Sequence, residues 1–164
     1  MNGVHIHLLL NHFPILGPLF ALALLLFGYF LKKDILCRAA LWTLVVVSLI
    51  TIPVFLSGEE AEHSVEGIIG VSEVSIEEHE EQAELAYWTM LVSGAIALGT
   101  LLAGRKSESL NRILLAINIA FIVVSFLLMA RTGNSGGSIR HPEIHGTSAD
   151  ASGAYGEEES LHED

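Results

Sequence analysis

The sequence predicts an all-α integral membrane protein, a four-helix bundle with its N-terminus and C-terminus both on the outer side. Three observations predict it. Of the 164 residues, 51% are hydrophobic and only 16% charged. The apolar residues gather in four blocks, 8–31, 35–56, 83–103 and 113–130, each near the roughly 20 residues that a spanning helix needs. Six of the eight basic residues fall in the two short connections, Lys32, Lys33 and Arg38 in the first and Arg105, Lys106 and Arg112 in the second. By the positive-inside rule those connections face the cytoplasm, which sets the chain as a multi-pass protein of a cytoplasmic (inner) membrane.

Helix one is expected over about 5–31. No basic residue precedes it and no small-x-small site follows, so it is expected to persist rather than be cleaved as a signal peptide. It carries an unusual run, VHIHLLLNHFPILGP, with three histidines, Asn11, Pro14 and Pro18. Pro14 has no backbone donor for the carbonyl of Leu10, which should loosen the helix beside His12, and Asn11 could fill part of that gap. Cys37, the single cysteine, follows in the first short connection and can form no internal disulfide.

Helix two is expected over about 35–57. Ser57 with Glu60 then reads as a capping box, and Ala61, Val65, Ile68 and Ile69 share one face of a short surface helix that Gly70 could end. A second box, Ser75 with Glu78, starts helix three at about 76, running to 103. Its first turns, Glu77 to Glu84, form an acidic stalk. Within it, Ala95, Gly99 and Ala103 repeat every four residues, a spacing that lets another helix approach closely in lipid.

Helix four is expected over about 109–131. The run after it, TGNSGGSIRHPEI, reads as turn-rich, and 146–164 as a disordered acidic tail, leaving residues 1–145 as the transmembrane domain. On this topology all acidic residues except Asp34 and Glu108, 17 of 19, lie outside against Arg131 and Arg140, a balance of −15. Such a field favours basic partners on the outer side and excludes nucleic acid there.

All eight histidines also fall on the outer side. His12 is the most informative, because it lies about one turn inside the apolar edge, where an imidazole needs a partner. His5 lies on the same face of a continuous helix, and His7 points elsewhere. His79 shares a face of the stalk with Gln82, Ala83 and Ala86, and could meet His12 across the bundle, with the His141 segment folding over both. Three chemistries stay open. Two imidazoles from different helices could be axial ligands of haem b. A mixed set from His12, Glu59, His63, His79 and Glu80 could hold zinc, copper or iron. Alternatively the histidines bind no cofactor and only join helices by hydrogen bonds.

Other classes find little in the residues. No Ser-His-Asp or Cys-His pattern can be read from helix spacing, so the chain is not expected to be an enzyme on its own. The GNSGG run follows no strand, so it reads as a turn and not a phosphate loop. Asn118 is the one strongly polar side chain near the middle of a span, which argues against an ion path.

The motifs NHFPILGP, SGEEAEH, EEHEEQAELA and ARTGNSGGSIRHPEI, in that order over residues 5 to about 145, resemble the DUF2231 group of bacterial four-helix membrane proteins. Ile-Arg-His stands where that group usually has an aliphatic-Val segment. The resemblance implies the same topology and matches the group at His12, Pro14, Gly58, His79, Gly136 and Gly137. Fusions of some members to Rieske or cytochrome c domains imply redox work at the outer face.

Together these features set the expectation of an electron-transfer component that holds haem b or another redox-active metal through His12 and His79. Pro14, Gly136, Gly137, Arg140 and His141 would shape or cover the site. A basic cytochrome c or similar redox protein is the expected partner beside the lipid bilayer itself. The alternative expectation is an accessory subunit of a larger membrane complex, with no cofactor of its own.

Overall fold

The structure, a computed structural model, describes residues 3–63, 73–103 and 107–140. It contains α1 (Gly3–Leu10), α2 (Phe13–Phe30), α3 (Asp34–His63), α4 (Glu73–Ala103) and α5 (Glu108–Arg140), and no strand among the described residues. Four stretches are long and apolar enough to cross a membrane: Val4–Phe30, Asp34–Gly58, Glu73–Ala103 and Glu108–Gly137. The chain is thus an all-helical protein with four potential membrane spans, the first of them bent between α1 and α2.

Through its central turns each span is apolar on all sides, so amphipathicity cannot say which side faces inward. Size does. The buried positions of α2 are Pro14, Pro18, Ala21, Leu25 and Gly28, a three-four repeat rich in small residues. In α4 they include Ala86, Met90, Ser93, Gly94 and Ala97, and in α5 Leu115, Asn118, Ile122, Ser125 and Met129. Large apolar side chains such as Phe20, Phe27, Leu49, Leu102 and Leu127 point outwards, where hydrocarbon solvates them.

The helices pack in a ring in which α2 and α4 each touch both α3 and α5, and α1 extends along α3. Neighbours are antiparallel. A Cβ added to Gly17 would meet Val47, and one added to Gly28 would come within 2.7 Å of the backbone nitrogen of Cys37. Gly94 lies against Ser48 in the same intimate way, and a Cβ on Gly133 would reach 2.6 Å from Ile15 Cδ1. Phe55 of α3 stacks on Tyr87 of α4 with ring centroids 4.3 Å apart.

Polar side chains add cross-links inside the bundle. Asn118 donates from Nδ2 to Thr100 Oγ1 at 2.7 Å and to its own helix at Leu114 O. Two turns along the seam from it, the Ser93 and Ser125 hydroxyls share a hydrogen bond of 2.7 Å. In hydrocarbon these groups have no water to turn to, so pairing α4 with α5 is their main means of satisfaction.

Three sequence expectations change. The first span is not one continuous helix: Asn11 and His12 form a turn, because Pro14 in the first turn of α2 offers Leu10 no N–H and its ring crowds that carbonyl. Ser57 is not a cap. Its buried hydroxyl donates back to Val54 O at 3.1 Å, and α3 runs on to His63, so no surface helix starts at Ser57; residues 64–72 lie outside the described residues. Nor is GNSGG a turn. α5 continues through it to Arg140, because its small residues prolong the inward seam where Ile15 and His79 press on the helix.

The Ala95, Gly99 and Ala103 repeat behaves differently again. Ala95 and Gly99 are exposed, and nothing lies within 4 Å of a Cβ placed on Gly99, so this stripe is not what joins α4 to the bundle.

The turn between α2 and α3 is three residues long and strained. Lys33 N–H bonds to Gly28 O at 2.8 Å and Lys32 N–H to Tyr29 O at 3.3 Å, a Schellman closure that puts Lys32 at φ 53°. A lysine in the left-handed region costs about 1 kcal/mol relative to glycine. Lys32→Gly is therefore expected to stabilise the protein by about 1 kcal/mol in detergent unfolding, whereas Gly28→Ala, blocked by the Cys37 backbone, is expected to destabilise it by about 1–3 kcal/mol. A stabilised Gly28→Ala would contradict this packing.

Candidate polar site at the N-terminal end of the bundle

The inward seam of α2 can be followed back through the bend: Pro18, Pro14, Asn11, His7 repeat at spacings of four, three and four. His7 and Asn11 therefore face the bundle, although they precede α2. The His7 ring reaches α3, where Nδ1 lies 3.1 Å from Val54 O, and its Cε1 edge is 3.7 Å from the place of a Cβ on Gly58. A carbonyl can only accept, so His7 Nδ1 carries a proton and donates it.

His79 enters from α4. Ile76, His79, Ala86 and Met90 lie along one side of this helix, with Ile76 and Ala86 buried and His79 half-buried. Its Nδ1 lies 2.8 Å from Ser135 Oγ, and Ser135 gives its single hydroxyl proton to Thr132 O at 3.0 Å. The serine oxygen is left as acceptor, so His79 Nδ1 is also the donor. Gly136 makes this possible, since a Cβ there would stand only 3.0 Å from His79 Cε1.

Both imidazoles are thus held by Nδ1–H, and in the neutral rings both Nε2 atoms keep a lone pair. One turn further in on the same faces lie two amides, Asn11 and Gln82. Their oxygens, Asn11 Oδ1 and Gln82 Oε1, are shut from solvent and accept no hydrogen bond from any described residue. The Gln82 backbone carbonyl does have a partner, the Thr132 hydroxyl at 3.1 Å. A buried acceptor without a donor costs about 1–3 kcal/mol, so this end of the bundle is rich in unused acceptors and short of donors.

Of the residues expected to form the site, the described ones do not face one another. His12 is exposed and caps no N–H of α2. It lines an outward groove between α2 and α3, and no interaction links it to His79. Glu80 is exposed on α4, while the side chains of Glu59, His63 and Arg140, and all of His141, lie outside the described residues. Among the described residues no three His, Cys, Asp or Glu side chains converge as a metal-binding group; of the expected set His12, Glu59, His63, His79 and Glu80, the side chains of Glu59 and His63 lie outside that search. Pro14 is buried at the bend and Gly136 lies under His79, whereas Gly137 is exposed with nothing near it.

Sequence reasoning put His12 forward for its depth and had His7 pointing elsewhere, whereas the structure turns His7 inward to Val54 O. The signal for His7 was present. Counting the small-residue seam back from Gly28 in steps of three and four arrives at Asn11 and His7, and places His5 and His12 together on the exposed side. The match of His79 with Ser135 needed the helical reading of TGNSGGSIR.

Comparison of the chain with protein-family models, with curated proteins and with solved structures finds no match. The resemblance to the DUF2231 group therefore rests on the short motifs quoted above.

The two adjacent glycines of α5 make the geometry testable. Gly136→Val would drive methyl groups into the His79 ring and is expected to lower stability by about 1–3 kcal/mol. Gly137→Ala meets nothing and should be neutral or stabilise by up to about 1 kcal/mol through helix propensity. Equal responses of the two variants in thermal unfolding would show that His79 does not lie on Gly136.

Proposed function

We propose that the protein is a membrane-bound electron-transfer component that holds a redox-active metal ion near the periplasmic face through Nε2 of His7 and His79. The observation that carries this reading is the pair of rings anchored by Nδ1–H donation, to Val54 O and to Ser135 Oγ, which leaves two Nε2 lone pairs from different helices. Metal-binding histidines are commonly oriented in this way, by a carbonyl or hydroxyl on the far nitrogen. The amide oxygens of Asn11 and Gln82 supply further neutral donors nearby.

A single ion suits these residues better than haem b. The His79 ring is pressed on Gly136, with 3.0 Å between Cε1 and the position of a Cβ, and further in α4 and α5 are tied together by the Thr132 and Ser93 hydroxyls. Among the described residues this contact leaves little room for a flat macrocycle between His79 and α5. Imidazole donors with no thiolate and no carboxylate favour copper, with iron and zinc as weaker fits, and copper or iron would supply one-electron chemistry. The acidic first turns of α4, with Glu77, Glu78, Glu80, Glu81 and Glu84, would steer a basic redox partner such as a cytochrome c to this face, with association weakening as salt rises.

The test is metal loading. Purified protein in mild detergent, exposed to copper and desalted, is expected to keep about one copper per chain. His7→Ala or His79→Ala should abolish retention and His12→Ala should leave it intact. Retention that depends on His12 would overturn the assignment. Absence of bound metal and of haem bands in the dithionite-reduced spectrum, with His79→Ala affecting only assembly, would instead favour the accessory-subunit reading.

A further inference from the structure

The histidine that the polar site does not use lies in a setting that needs explanation. His12 stands at one end of a groove of about 700 Å³ between α2 and α3, lined otherwise by apolar side chains, among them Phe13, Phe20, Trp42, Val46 and Ile50. That volume lies within the range of small-molecule sites, roughly 300–1,000 Å³. From His12 to Phe20 the groove runs about 12 Å along α2 at 1.5 Å per residue, within the apolar span.

The groove gives the imidazole nothing to bond. Its other polar groups are the Trp42 indole N–H and the Thr43 hydroxyl, and the latter is already donated to Ala39 O at 2.9 Å. An imidazole N–H facing hydrocarbon without an acceptor is costly, so the occupant has to bring the acceptor with it. A bare acyl chain has none. A phospholipid has one on its phosphate, but the described charged side chains of α4 and α5 at this end of the bundle are mostly acidic, with Glu73, Glu77, Glu78, Glu80, Glu81 and Glu84 against Arg131. An anionic head group is disfavoured by that field. The aromatic rings of Phe13, Phe20 and Trp42 favour a flat, uncharged body on which they can stack.

We infer that the groove between α2 and α3 is a binding site for a quinone-type amphiphile, whose ring carbonyl accepts a hydrogen bond from His12 and whose aliphatic tail follows α2 past Phe20. It shares no side chain with the His7 and His79 site, so either assignment can fail without the other.

Tryptophan fluorescence reads the site directly. The chain has two tryptophans, and Trp88→Phe leaves Trp42 as the single reporter. In lipid nanodiscs, a ubiquinone analogue with a ten-carbon tail is expected to quench Trp42 saturably. His12→Ala should weaken the apparent affinity about tenfold, the loss of one hydrogen bond worth about 1.4 kcal/mol. Val46→Phe, which fills the groove and leaves His12 in place, should weaken it at least as much, so the result does not depend on how one variant folds. Quenching that rises linearly without saturation would overturn the proposal. So would displacement of the quinone by equimolar phosphatidylglycerol, which would make this a phospholipid site. A Trp42 buried in a dimer that excludes the quinone would overturn it as well.

Discussion

Close approach of helix backbones at glycine is the constraint on which the rest of this structure depends. In lipid the helices gain nothing by hiding apolar surface from one another, so contact distance decides how strongly they associate. Gly17 against Val47, Gly28 against Cys37, Gly94 against Ser48 and Gly133 against Ile15 set that distance between α2 and α3, α3 and α4, and α2 and α5, leaving the pair α4 and α5. That pair is joined instead by the Ser93–Ser125 and Asn118–Thr100 hydrogen bonds. With the ring so fastened, the first turns of α4 and the last turns of α5 have no freedom to separate, and His79 comes to lie on Ser135 and Gly136.

The bend at Asn11 and His12 divides polar groups between two environments. Inside the bundle, His7, Asn11, His79 and Gln82 make a region of acceptors held by backbone carbonyls and hydroxyls. On the outside, His12 faces an apolar groove with a donor and no acceptor. These are complementary needs, one for a cation or donor and the other for a neutral acceptor, and they lie at the same end of the first span. An electron-transfer reading accommodates both, since metal centres and quinones are both one-electron partners, yet each site is built from its own side chains.

Much of the architecture was legible in hydropathy and charge. Four apolar blocks became four potential spans, and His79 lies on the face assigned to it, toward Ala86. The ends of the helices were less legible. Ser57 and Glu60 have the spacing of a capping box, but a serine hydroxyl can donate backwards within a continuing helix as readily as it can start one, and local sequence does not distinguish the two. Thr132, Gly133, Ser135 and Gly136 have the composition of a turn, and the same small residues are what a tightly packed membrane helix requires.

Taken alone, the sequence determined that there are four long apolar segments and where each lies along the chain. The tertiary structure decided which histidines have partners. Depth follows from hydropathy along one helix, whereas the facing of His7 toward Val54 and of His12 toward the groove depends on how α1 and α2 are rotated against α3. That rotation is set by contacts between segments some forty residues apart, such as His7 with Val54, and no local pattern carries it.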